Sequence, residues 1–125
     1  MTEVWIYRVD LVAFEAVRGE NTVPNLTGFR TVTSDEEYIG TVEESAELGE
    51  RSWIVVDTGH WIFEKKRMIP AGAISAIDPE QRQVRLALTR EEVRSAPDYH
   101  EISRHEAFYQ AEIEDYYRSH APASR

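Results

Sequence analysis

The sequence contains no cysteine, so neither disulfide bonds nor thiolate metal sites are available to it. Its six glycines are scattered, and they form neither the G-x-G-x-x-G nor the Walker pattern that cradles a phosphate. No apolar run reaches the roughly 18–20 residues that a membrane-spanning helix needs. The N-terminus also lacks the basic-then-apolar layout of a signal peptide. We therefore expect no membrane span and a cytoplasmic location.

Basic residues are few as well: 14 Lys and Arg stand against 23 Asp and Glu, for a formal charge of -9. A surface this negative repels phosphate backbones, so we expect no nucleic-acid partner. The same charge also keeps a small protein soluble. A length of 125 residues with 42% hydrophobic composition fits one globular domain with its own core.

Short apolar segments separated by turn residues predict a mainly β chain. Ser52–Asp57 is apolar on both faces, which is typical of a central strand. Ala73–Ile77 and Gln83–Leu88 predict a hairpin around Asp78-Pro79, because proline suits the first central position of a type I turn. We expect further strands within residues 4–14 and at Gly28–Val32, Tyr38–Val42, Trp61–Phe63 and Arg67–Ile69.

Helical signals are confined to the C-terminal part of the chain. Thr89-Arg90-Glu91-Glu92 is a capping box, and Pro97 keeps the helix that it opens short. A second box, Ser103–Glu106, precedes apolar residues that recur at helical spacing, namely Ile102, Tyr109, Ile113 and Tyr116. We predict one amphipathic helix over about residues 103–119.

The whole chain, residues 1–125, is expected to form a single domain with three parts. These are an N-terminal strand and loop (1–27), a barrel core (26–99) and the C-terminal helix. Within the core, Glu43–Arg51 has little apolar content and contains Gly49, so we predict a loop there.

Five segments, in this order, resemble the PRC-barrel domain family: Leu26–Phe29, Tyr38–Glu43, Ile54–Gly59, Met68–Gly72 and Leu88–Pro97. Three further features resemble the stand-alone PRC-barrel proteins of actinobacteria, namely Trp5-Ile6-Tyr7, Trp61-Ile62-Phe63 and Tyr116-Tyr117. The resemblance implies a small, closed or partly open, antiparallel β-barrel of about six strands with a short helical turn and a C-terminal helix. It also implies a module that docks onto other proteins, associates as a homodimer and does no covalent chemistry.

The sequence departs from the family at two turns. Glu36 stands in the first turn, where the family has Asp-Gly, and Glu64 follows the aromatic triplet, where the family often has glycine. Glutamate tolerates a positive φ poorly, so we expect both turns to take a different shape.

Asp57-Thr58-Gly59 admits a second interpretation, a retroviral-type aspartic protease. Such an enzyme pairs two of these loops across a homodimer, so that two carboxylates share a proton and activate water. The bulky His60 after the glycine and the absence of the usual C-terminal apolar-apolar-Gly segment argue against this alternative. The simpler interpretation is structural, with turn-forming roles for Asp57, Gly59, Asp78 and Pro79.

Two groups of ionisable residues are candidate sites. His100 and His105 are five residues apart, whereas a zinc-binding helix uses i, i+4, so we expect no metal and no cofactor. Lys65-Lys66-Arg67 forms a basic corner. That corner is either solvated, paired with the acidic residues of the 43–47 segment, or a contact for an acidic partner.

Aromatic residues are the candidates for interaction. The Trp61-Ile62-Phe63 edge and the stripe of Tyr109, Ile113 and Tyr116 are predicted contact surfaces, because aromatic anchors dominate interfaces. The predicted partners are a second copy of the chain and an unidentified protein. A small apolar ligand inside the barrel is a third hypothesis, which is weakened because small barrels are filled by their own side chains.

Overall fold

The structure, a computed structural model, describes residues 3–7, 25–59 and 66–120. The strands are β1 (Arg30–Val32), β2 (Tyr38–Leu48), β3 (Arg51–Asp57), β4 (Lys66–Pro70), β5 (Ile74–Asp78) and β6 (Gln83–Leu86). The α-helices are α1 (Arg90–Arg94) and α2 (Ala107–His120), and short 3-10 helices lie at Glu3–Trp5 and Ala71–Ala73. The predicted mainly β class is confirmed.

The strands form one six-stranded sheet in the order β4-β3-β2-β1-β6-β5. Neighbouring strands are antiparallel except β1 and β6, which run parallel with Thr31 opposite Val84. Within the described residues β4 and β5 are the two edges, so the sheet is partly open and mixed. The parallel pair departs from the expected antiparallel pattern, and in it β6 covers the edge of β1 that β2 leaves free.

The predicted central strand is confirmed in β3. It pairs with β2 on one side and β4 on the other, and Trp53–Val56 are buried throughout. Residues that are buried on both faces of a strand need apolar side chains at successive positions, which explains the unbroken apolar run. The predicted hairpin is also present as β5 and β6, where the Asp78 carboxylate accepts from Glu80 N (3.1 Å) and Gln81 N (3.2 Å).

The polar segment Glu43–Arg51 is part of a hairpin, so the prediction of a loop was wrong. β2 continues to Leu48 and β3 begins at Arg51, which leaves a two-residue turn at Gly49-Glu50. Gly49 has a φ of 62°, the left-handed conformation that two-residue hairpin turns require. The error arose because backbone pairing to β3 holds this arm, whose side chains are partly exposed and therefore polar.

The N-terminal strand expected within residues 4–14 is not formed where the structure describes it. Glu3–Trp5 is a 3-10 helix, and residues 8–14 lie outside the described residues. The Trp5 indole N–H donates to Glu114 Oε1 (2.8 Å), and its ring meets Trp53 edge-on at 5.9 Å. These tertiary contacts, rather than strand propensity, determine the local backbone conformation.

The turn at Glu36 keeps a left-handed shape, which the sequence did not predict. Glu36 has a φ of 67°, and its N–H donates to Thr33 O at 3.0 Å. Its carboxylate binds the Arg85 guanidinium through both oxygens (2.9 and 3.1 Å). These bonds offset the backbone strain of a non-glycine residue at this position. The second departure, Glu64, lies outside the described residues.

The capping box at Thr89 is confirmed: its hydroxyl accepts from Glu92 N, while the Glu92 carboxylate accepts from Thr89 N. The second predicted box is wrong. Glu106 N donates to Ser103 O in a turn, and α2 begins only at Ala107. The backbone bond between Ser103 and Glu106 takes the place of the side-chain cap, so the helix starts four residues later than predicted.

Candidate functional site

The basic corner is divided between two structural roles. Lys66 Nζ binds Glu43 Oε2 at 2.8 Å, and this hydrogen bond raises the pKa of Lys66. Arg67 is only 2% exposed, so the prediction of a solvated or partner-facing corner was wrong for this residue. Lys65 lies outside the described residues.

Arg67 joins three elements of the fold. Its guanidinium donates to Val93 O (2.9 Å) and Arg94 O (2.9 Å) at the C-terminal end of α1. It also donates to Asp98 Oδ1 at 2.8 Å. Arginine suits this position because its planar fork can serve several acceptors at once while it stays charged. The residue therefore anchors α1 and the following segment to β4.

The predicted contact stripe on α2 packs inside the protein. Tyr109 and Ile113 are 2% and 0% exposed, and Tyr116 is half-buried with its hydroxyl donating to Glu92 O. The Tyr109 hydroxyl donates to Asp98 O (2.8 Å) and accepts from His100 N (3.1 Å). Helical periodicity found the buried face of α2, and the interpretation of that face as an external contact surface is corrected. The Trp61–Phe63 edge lies outside the described residues.

The buried phenol of Tyr109 is expected to make the protein less stable at alkaline pH. Burial raises the pKa of this phenol from 10.0 to about 12, so the unfolded chain releases its proton first. Its contribution to stability is therefore complete below pH 10.0 and disappears as the pH approaches about 12. We expect the free energy of unfolding, measured with urea, to fall over this range, and Tyr109→Phe to make the fall shallower.

The exposed Tyr38→Phe variant is the matched control for Tyr109→Phe. Burial also raises the pKa of Tyr7 and Tyr117, so part of the alkaline slope persists in Tyr109→Phe. An alkaline slope that is identical in wild type and Tyr109→Phe would contradict the assignment.

Asp57 lies at the end of β3 beside an open depression of about 290 Å³. Its exposed carboxylate accepts from Gly59 N at 3.0 Å, within its own turn. Among the residues that the structure describes, the depression is lined by the Asp57 carboxylate together with Tyr38, Ile39, Gly40, Thr41, Thr58 and Gly59. The Tyr38 hydroxyl lies 3.1 Å from Thr41 Oγ1. Within the described residues of one chain, this arrangement supplies no second carboxylate with which Asp57 could share a proton.

Two large apolar side chains are exposed just before and at the start of α2. Ile102 is 95% exposed and Phe108 is 72% exposed. We refer to Ile102 and Phe108 as the apolar pair. Helical spacing grouped Ile102 with Tyr109, Ile113 and Tyr116, and Phe108 was not predicted as a contact residue. The sequence signal for Phe108 is its position around the helix, because it lies outside the buried face that carries Tyr109 and Ile113.

Hydrogen bonds fix the segment that presents the apolar pair. Ser103 N donates to His100 O (3.1 Å), and Glu106 N donates to Ser103 O (2.9 Å). The side-chain amide of Gln110, a buried residue of α2, donates to Arg104 O at 2.8 Å. The apolar pair is therefore carried by a run of bonded turns that is tied to the first turns of α2.

The histidines of this segment pack on aromatic rings. His100 meets Tyr109 edge-on at 5.7 Å, and His105 meets Trp53 at 5.9 Å. Across residues 3–7, 25–59 and 66–120, no group of three or more His, Asp or Glu side chains is arranged to hold a metal ion. In the same part of the chain, no helix combines the length and apolarity required to cross a bilayer.

These observations define a mainly β chain built on a partly open six-stranded mixed sheet, with one longer helix packed on it. No protein-family model and no curated protein sequence matches this chain. Among solved structures it is similar to RimM of Pseudomonas aeruginosa, described as a 16S ribosomal RNA processing protein, with a TM-score of 0.43 and 19% sequence identity. That similarity covers 49% of this chain and 39% of the RimM chain.

Proposed function

We propose that this chain is a PRC-barrel-like module without enzymatic activity that acts by binding other protein chains. The five segments that resemble the PRC-barrel family support the assignment of the fold, because each forms part of the sheet or of an element that borders it. They contribute, in order, the approach to β1, the first half of β2, the end of β3 with its turn, the end of β4 with the following 3-10 helix, and the capped helix α1.

The observation that carries a binding role is the exposure of the apolar pair. Scattered apolar residues are normal on protein surfaces. These two instead share one short, hydrogen-bonded segment, and Phe108 is a residue type that anchors interfaces. Presenting apolar side chains on a fixed backbone lowers the entropy cost of association.

The proposal includes self-association through the Trp61-Ile62-Phe63 edge, which rests on the sequence and the resemblance. We expect wild type to form a concentration-dependent dimer in size-exclusion chromatography with light scattering. Trp61→Ala and Phe63→Ala are each expected to weaken the dimer by about tenfold, the effect of removing one aromatic anchor.

Leu48→Ala, at an exposed position next to the β2–β3 turn, is the matched control and is expected to leave the dimer unchanged. A wild-type protein that stays monomeric at every concentration would overturn self-association. Cleavage of a peptide library at acidic pH that is abolished in Asp57→Asn would overturn the non-enzymatic assignment in favour of the protease.

A further inference from the structure

Four exposed carboxylates lie close to the apolar pair along the chain. Glu101 directly precedes Ile102, Glu106 lies two residues before Phe108, and both glutamates are exposed. On α2, Glu112 and Asp115 follow Phe108 at i+4 and i+7, so all three lie on one exposed face of the helix. We refer to these four exposed residues, Glu101, Glu106, Glu112 and Asp115, as the acidic ring.

The nearby cations compensate only part of this negative charge. Arg104 donates to Glu101 O (2.7 Å) and lies 4.0 Å from Glu101 Oε2, so it is engaged within its own turn. Arg118 binds Glu114 Oε2 at 2.5 Å and lies 4.0 Å from Asp115 Oδ1. Neither Glu106 nor Glu112 has an ion-pair partner within the part of the chain that the structure describes. The chain as a whole carries -9, which reinforces the local field.

We propose that the apolar pair and its acidic ring dock a basic protein surface, with Phe108 and Ile102 entering an apolar pocket that Lys and Arg side chains surround. The inference rests on the proposed binding function and specifies the chemistry of the partner. Complementary charge around an apolar centre speeds encounter and rejects wrong partners, while the buried anchors hold the complex.

The same charges disfavour other occupants of this surface. Nucleic acid and anionic lipid would both bring negative charge against the acidic ring. A second copy of the chain, docked through the same face, would place one acidic ring against another. The proposed self-association involves different residues, Trp61–Phe63.

The test is a titration with a labelled amphipathic helical peptide that carries Lys on one face and Leu and Phe on the other. A peptide with Glu in place of every Lys is its charge-reversed partner. We expect the basic peptide to bind, with affinity falling steeply between about 50 and 300 mM salt as screening increases. In backbone amide NMR spectra, the largest shifts are expected between residues 100 and 112.

Separate variants test the apolar pair and the acidic ring. Phe108→Ala and Ile102→Ser are each expected to weaken basic-peptide binding by about tenfold. Glu106→Gln combined with Glu112→Gln is expected to weaken it less and to flatten its salt dependence. Tyr38→Ser, at an exposed aromatic far from this segment in sequence, is the matched control and should bind as wild type.

Equal binding of the charge-reversed peptide, or binding that survives both apolar substitutions, would overturn the inference while leaving a binding function in place. Stronger binding to single-stranded DNA or to phosphatidylserine vesicles than to the basic peptide would overturn it in favour of those occupants. A protein that binds no probe and does not self-associate would instead overturn the proposed function itself. Unchanged thermal unfolding of each variant separates lost binding from lost folding.

Discussion

Gly40→Ala is expected to destabilise the protein by about 3 kcal/mol or more, the sum of backbone strain and overpacking. Gly40 lies in β2 with a φ of 148°, a conformation that side chains other than glycine rarely adopt. A Cβ added there would lie 2.1 Å from Asp57 O and 2.9 Å from the Asp57 carbonyl carbon. Both obstacles are backbone atoms of the central strand β3, so no side-chain rotation relieves the clash.

Gly49→Ala is the matched control because Gly49 also has a positive φ, 62°, but an added Cβ would meet nothing within 4 Å. We expect this control to cost only about 1 kcal/mol, the strain of a left-handed alanine. Urea unfolding followed by tryptophan fluorescence measures both variants. If Gly40→Ala were no less stable than Gly49→Ala, the close approach of β2 to β3 would be wrong.

Arg67→Met is expected to cost about 3 kcal/mol, because it leaves polar partners in the fold without their donor. Val93 O and Arg94 O lose the guanidinium that caps the end of α1, and Asp98 loses its ion pair. The methionine fills part of the space of the arginine, so the loss reports on hydrogen bonds more than on a cavity. Urea unfolding gives the free-energy difference.

Two variants sharpen the test of Arg67. Arg67→Lys keeps the charge but not the planar fork, so we expect a loss of stability between those of wild type and Arg67→Met. Arg94→Met removes an exposed arginine whose ion pair to Glu91 spans 3.8 Å, and it is expected to cost less than about 1 kcal/mol. Equal stability of Arg67→Met and Arg94→Met would show that the buried network does not hold α1.

The sequence predicted those parts of the fold that depend on local chemistry. The apolar run of β3 and the capping box at Thr89 each have a local cause and were correct. The strand through Glu43–Leu48 was missed because its stability comes from a partner strand, which no side-chain pattern within the segment records. The left-handed Glu36 was missed for a similar reason, since Arg85 supports it from 49 residues away.

The residues of the candidate site were harder to predict from the sequence. A run of basic residues predicts solvent exposure, and nothing in it distinguishes Arg67, whose acceptors at Val93, Arg94 and Asp98 lie 26 to 31 residues further along the chain. Periodicity identified Tyr109 and Ile113 as one face but not whether the sheet or a partner covers it. The same periodicity leaves Phe108 on the opposite face, so this anchor could have been predicted once the buried face was known.

The most direct test of the binding role is the heat-capacity change when the basic peptide binds, measured by calorimetry at several temperatures. Burial of apolar surface makes this quantity negative. We predict a negative value for wild type that shrinks markedly when Ile102→Ser and Phe108→Ala are combined. A value that is the same in both proteins would contradict the claim that these two exposed side chains form the docking surface.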